Sequence, residues 1–245
     1  MNEGMMIFQA ACLTIIGAAT PLLFAALGEL VAERSGVLNL GVEGMMLVGA
    51  VGAFVGTVVT GNTYMGILIG GLSGALLAGL HAVLTLSLLT NQVATGLAIT
   101  LFGVGLSALV GSEFVGTTVE PLSNLPIPLL SEIPLLGPIL FDHNLMIYLS
   151  VAMVIGLHLF IYRSRGGLVL RAIGESPDSA HALGYPVIKL RYLALLFGGL
   201  MAGLGGAYLS VVYTPMWSEG MTAGRGWVAL ALVVFATWKP GRVLL

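Results

Sequence analysis

Apolar runs of membrane length follow one another along nearly the whole chain, at 6–31, 37–60, 64–89, 93–111, 144–162, 190–213 and 226–245. A bilayer core is about 30 Å thick and takes ~20 apolar residues per helix. The pattern therefore predicts an all-α polytopic transmembrane helix bundle with about seven spans. The first joints, 32–36, 61–63 and 90–92, are short. Two interruptions are longer. The stretch 112–143 carries Pro121, Pro126, Pro128, Pro134 and Pro138 and no lysine or arginine. Repeated proline blocks regular helix, so an extended surface loop is expected, with a short surface helix at most. The stretch 163–191 holds Arg163, Arg165, Arg171, Lys189 and Arg191, five of the nine basic residues. Ser176, Pro177 and Asp178 form a helix start, with a serine N-cap, proline at the first helical position and an acid facing the positive end of the dipole. Gly184 suits a left-handed stop and Pro186 prevents continuation. A polar helix of about two turns over 177–183 is expected.

The basic residues also set an orientation. With the N-terminus outside, Arg34, the five of 163–191, Lys239 and Arg242 fall inside and only Arg225 falls outside. The proline-rich loop 112–143 is then external and 163–190 cytoplasmic. Composition agrees with a membrane protein: 58% hydrophobic and 8% charged residues, and a mean hydropathy of +1.03, against about 25% charged in soluble domains. The net charge of −2 adds little. The single Cys12 excludes an intrachain disulfide. No basic residue precedes Arg34, so no signal-peptide n-region is visible.

Small residues recur every four positions, at Gly66, Gly70, Gly74 and Ala78 and again at Gly198, Ala202 and Gly206. Such rows let helix backbones approach closely, within the bundle or at a subunit interface. Polar side chains at bilayer depth cost ~2.5–3.5 kcal/mol on insertion scales and face protein or water. Asn39 and Glu43, four apart on one predicted helical face, either hydrogen-bond structurally or line a path. The glycine-rich run 36–44 reads as a broken or unwound segment. His81 reads as a satisfied buried histidine, and Glu29 and Glu33 as interfacial carboxylates near Arg34. Asn91, Gln92 and Thr95 either cap the fourth span or touch substrate. No HExxH, GxSxG or P-loop pattern occurs, and His158 and His181 lack ligand-spaced partners. No enzyme, metal, cofactor or nucleic-acid partner is expected.

The run 33–46, ERSGVLNLGVEGMM, resembles a signature of the permease subunits of nucleoside and simple-sugar ABC importers, the broader family of the ribose and branched-chain amino acid permeases. The runs 91–98, 127–131 through Pro138, and 171–180 are similar to that family as well, so the resemblance spans the chain. It implies one permease domain over 1–245 in a bacterial cytoplasmic membrane, forming a translocation path, most simply for nucleosides. It implies a separate ATP-binding subunit, a second related permease in a homo- or heterodimer, and an external substrate-binding lipoprotein. The implied ATPase-coupling helix comprises Glu175, Ser176, Pro177, Asp178, Ala180, His181, Leu183 and Gly184, with Ala180 and Leu183 as apolar contacts. Members of this family usually continue for another span or two, so C-terminal spans are expected beyond 245. The alternative is an ion-coupled secondary transporter using Glu43 or His81.

Overall fold

Asparagine side chains start three of the long helices. In the computed structural model, which describes residues 3–131, 133 and 136–244, the side chain of Asn62 accepts from the backbone N–H groups of Tyr64 and Met65. Asn91 accepts from Val93 and Ala94, and Asn144 from Ile147. Each supplies an acceptor for first-turn donors that have no partner inside the helix. The helices so formed are α1 (Glu3–Arg34), α2 (Val42–Thr60), α3 (Thr63–Ala82), α4 (Gln92–Gly111), α5 (Leu136–Leu140), α6 (Leu145–Arg163), α7 (Arg165–Glu175), α8 (Pro177–Ala182), α9 (Val187–Tyr208), α10 (Arg225–Phe235) and α11 (Pro240–Val243). Helices α3 and α9 each run on into a π-helical turn, at Val83–Ser87 and Leu209–Tyr213.

Among the described residues six helices are long and apolar enough to cross a membrane: α1, α2, α3, α4, α6 and α9, the third and the last counted with their π-turns. The seventh expected span is different. Its helix α10 covers Arg225–Phe235 and stops there; the chain then turns at Thr237 and Trp238, both with positive φ, before the short α11. At 1.5 Å per residue α10 reaches ~16 Å, about half a bilayer core. The expected second span also starts late, at Val42, because 37–41 is not helical.

Helix α2 lies at the centre, packed against α3, α4 and α9, and α9 also packs on α1 and α3. The row of small residues on α3 faces inward. A Cβ added to Gly70 would stand 2.6 Å from the carbonyl oxygen of Gly49 on α2 and 2.7 Å from the Ala53 Cβ. The row therefore serves packing within the bundle. Helix α6 lies at one edge, against α1, and α4 lies against α2. The loop 112–143 contains more order than expected: β1 (Asn124–Pro126) pairs antiparallel with β2 (Asp142–Asn144), with α5 between them. Residues 132, 134 and 135 of that loop lie outside the described residues. In the other polar stretch, the sequence reading missed α7, an amphipathic helix that buries Gly167, Leu170 and Ile173.

Candidate functional site

The break between α1 and α2 is clasped by side chains of two helices, α1 and α4. The chain leaves α1, turns at Gly36 with φ +84, and re-enters the bundle as extended backbone. The N–H of Asn39 donates to Glu29 Oε1 at 3.0 Å, and the N–H of Leu38 donates to Gln92 Oε1 at 2.9 Å. Thr100 Oγ1 donates to the Leu40 carbonyl at 2.9 Å, and Asn39 Oδ1 accepts from the N–H of Gly41 at 3.1 Å. Non-helical backbone at membrane depth persists only against protein or a watery cavity. Here side chains of α1 and α4 replace the missing helix bonds. Gly44 then lies on the middle of α4, where a Cβ would stand 2.7 Å from the Ile99 carbonyl oxygen.

At the same depth a second broken segment arrives. Residues 214–224 follow the π-turn of α9 and end at Gly224, with φ +82, which precedes α10. The Glu43 carboxylate receives this end. Oε1 accepts from Thr222 Oγ1 at 2.6 Å and from the N–H of Gly224 at 2.8 Å; Oε2 accepts from the N–H of Gly226 at 2.6 Å. Glu43 is 6% exposed and Thr222 fully buried. An anion at unpaired N–H groups of a helix start is electrostatically favourable. Arg225, half-buried beside it, donates to the carbonyls of Met221 and Thr222 at 3.3 and 3.1 Å and folds over the same turn. It thus lies level with Glu43 in the bundle, where the sequence reading had placed it at an outer end.

The predicted path residues divide accordingly. Asn39 is not on the Glu43 face of a helix, because α2 begins only at Val42; it belongs to the clasp, with its amide also donating to Met45 Sδ at 3.3 Å. Asn91 caps α4. Gln92 binds the broken segment. The Thr95 hydroxyl is 2.8 Å from that of Thr90. Glu29 is fully buried, and its Oε2 makes no hydrogen bond among the described residues. His81 is fully buried, as expected, and lies beside the backbone of Leu38 in the broken segment. Glu33 accepts from the indole of Trp238, and Arg34 donates to the Trp238 carbonyl at 3.0 Å, fastening the end of α1 to the turn after α10.

The helices α7 and α8 lie at the end of the bundle where most basic residues gather. Arg191 Nε donates to the Ser35 carbonyl at 3.0 Å and Nη2 to that of Ile173 at 3.4 Å, anchoring the segment to α1 and α9. Helix α8 ends at Ala182, one residue earlier than expected. Gly184 closes it with φ +88, and the N–H of Tyr185 reaches back to the Ala180 carbonyl at 3.1 Å, a Schellman stop. Pro177 stands at the helix start as expected. Two expectations need correction. Ser176 does not cap the backbone; its hydroxyl donates to Ser179 Oγ at 2.7 Å. Ala180 is 2% exposed and packs into the chain's own core with Leu170, Ile173 and Val187, so it is not free to touch a partner. Leu183, 79% exposed, is free, as are Glu175, Asp178 and His181.

Residues 11–245 match the family model described as branched-chain amino acid transport system / permease component. The chain is 47% identical over 206 residues to TsgC13 of Haloferax volcanii, which carries the name of a glucose ABC transporter permease; the match covers 82% of this chain and 63% of that protein. It is 33% identical over 200 residues to the nucleoside ABC transporter permease protein NupC of Lactococcus lactis, covering 77% and 63%. It is 32% identical over 207 residues to the guanosine ABC transporter permease protein NupQ of Bacillus subtilis, covering 79% and 65%. The chain thus spans less than two thirds of the length of these relatives. No solved structure matches it.

Proposed function

We propose, for a chain that belongs to the family of permease components of branched-chain amino acid transport systems, that it is the membrane-spanning subunit of an ABC importer. In this reading it forms the translocation path as one permease domain, and ATP is hydrolysed on a separate ATP-binding subunit. A second related permease and an external binding lipoprotein complete the assembly. The substrate is a nucleoside, as the names of two relatives suggest. Glucose is the second reading, favoured by the 47% identity to TsgC13.

The observation that carries the coupling role is α8. It is an anchored helix, stopped at Gly184, with Glu175, Asp178, His181 and Leu183 exposed around it while its other side is fixed by Ala180. Buried apolar anchors carry most interface energy, so Leu183 is the anchor assigned to the ATPase groove, with the charged residues as its rim. The orientation follows from the Lys and Arg bias, with α7 and α8 cytoplasmic.

The test uses the assembled transporter. Leu183→Asp is expected to abolish co-purification of the ATPase and substrate-stimulated ATP hydrolysis while leaving the thermal midpoint of the permease unchanged. Normal stimulation in that variant refutes the coupling role. Uptake that follows an ion gradient without ATP establishes the secondary-carrier reading instead.

A further inference from the structure

A polar cavity of about 370 Å³ opens at the hairpin end of the bundle, remote from Glu43 and from α8. Its walls come from five separate pieces of chain: the N-terminal half of α1, the β1–β2 ladder, α5, the first turn of α6 and the end of α9 with its π-turn. The volume falls within the ~300–1,000 Å³ common for small-molecule sites.

The chemistry of the walls is specific. Gln9, Asn124 and Asn144 bring amides, Asp142 brings a carboxylate, and Tyr208 and Tyr213 bring rings. The two rings stack on each other, with centroids 6.3 Å apart and planes inclined by 28°. The buried Tyr208 hydroxyl lies beside Thr20 and Asn144. Tyr213 is 40% exposed and lines the cavity. Gly17 on α1 admits its ring, because a Cβ there would stand 3.2 Å from it. Among the described residues no lysine or arginine lines the cavity.

We infer that this cavity is a binding subsite for a neutral polyhydroxylated ring, the ribose of a nucleoside or a hexose. A carboxylate and amides pair with adjacent hydroxyl donors, and an aromatic face covers the apolar side of such a ring. A phosphorylated solute is disfavoured, because its charge would meet the Asp142 carboxylate, and the Nε2 of His143, the base among the described lining residues, is already taken by the Ile139 carbonyl at 2.7 Å. The inference rests on the importer reading for its biological sense, but the site is testable without the ATPase.

The experiment is saturation-transfer NMR on the full chain in lipid nanodiscs, with adenosine, 2′-deoxyadenosine, AMP and glucose as probes. Adenosine or glucose is expected to receive saturation at its sugar protons, and AMP is not. If adenosine binds, its 2′-deoxy analogue is expected to bind more weakly. Asp142→Asn and Tyr213→Ala are each expected to weaken binding by roughly tenfold or more, the scale of one charge-assisted hydrogen bond or one lost ring contact. Both residues are partly exposed, and unchanged thermal midpoints certify that the variants fold. Saturation transfer to neither adenosine nor glucose overturns the inference, as does equal binding of AMP or indifference to both substitutions. Adenosine against glucose identifies the ring. Failure here alongside ATP-driven uptake in cells would sink this subsite and leave the importer reading standing; binding without ATP-driven uptake would do the reverse.

Discussion

Replacing Glu43 by glutamine keeps the size of the side chain and removes one acceptor. In the native structure Oε1 serves Thr222 Oγ1 and the N–H of Gly224, and Oε2 serves the N–H of Gly226. If the glutamine oxygen keeps the first two, its amide nitrogen is left 2.6 Å from the Gly226 nitrogen, donor against donor. Turning the amide over leaves Gly224 unpaired instead. An unsatisfied buried donor costs ~1–3 kcal/mol, and losing a negative charge at the start of α10 adds ~0.3–1 kcal/mol. Polar contacts inside membranes are often worth less, about 0.6 kcal/mol on average, but that figure describes groups that find other partners. Thr222 is fully buried and Glu43 nearly so. The expected loss is therefore about 1.3–4 kcal/mol. At ~2–4 °C per kcal/mol for a chain of this size, the thermal midpoint in detergent falls by roughly 3–16 °C. Limited trypsin digestion gives a local readout, because loosening the turn exposes the bond after Arg225, which is half-buried in the native state. Glu43→Asp, one methylene shorter, is expected to behave similarly. An unchanged midpoint and unchanged cleavage, with uptake impaired, would refute the structural assignment and make Glu43 a path-lining group.

Three further outcomes follow from the same geometry. Gln92→Leu removes the acceptor of the Leu38 N–H and is expected to cost ~1–3 kcal/mol, read as a lower thermal midpoint with faster amide exchange confined to 36–41. Gly70→Val sets a branched side chain where even a Cβ stands 2.6 Å from the Gly49 carbonyl oxygen; a loss of ~1–3 kcal/mol or more is expected, seen as reduced yield of monodisperse protein, whereas Leu72→Val on the exposed side of α3 is expected to be neutral. Ser176→Ala is expected to cost less than the ~1 kcal/mol typical of a lost N-cap, because the hydroxyl serves only Ser179; a full-sized loss in thermal unfolding would show that it caps the backbone.

Periodicity and caps were the legible part. Asn62, Asn91 and Asn144 stand at helix starts where their chemistry requires them, and Gly184 stands at a helix stop. The break at 36–41 was visible as glycine density in an apolar run, since no other local signal explains it. What the chain could not disclose locally was partnership at long range. Glu43 meets residues about 180 positions away, so the roles of Glu43, Thr222 and Gly226 exist only once α10 has docked. Hydropathy made 226–245 look like a span because apolarity counts residues and not turns; the positive φ values of Thr237 and Trp238, held by Glu33 and Arg34, cut the helix short. The burial of Ala180 was likewise illegible, because a small apolar residue in a polar helix fits either a partner groove or the chain's own core.

The arrangement explains why a carboxylate occurs inside an apolar bundle at all. Glu43 stands in the first turn of α2 and at the same time receives the start of α10. Both helices begin inside the bundle, after broken segments, and each presents unpaired N–H groups and the positive end of its dipole there. Two such ends side by side would repel one another and leave donors unsatisfied. One negative charge between them offsets both, which no neutral side chain of similar size does. The cost of burying the charge is met by three short hydrogen bonds rather than by a counter-cation. Discontinuous helices whose ends meet inside the bundle are the arrangement by which many transporters build a central site. Their mutual fastening through Glu43 makes 36–41 and 214–224 a single mechanical unit: a displacement of α4, transmitted through Gln92 and Thr100 to 36–41, must also move the start of α10.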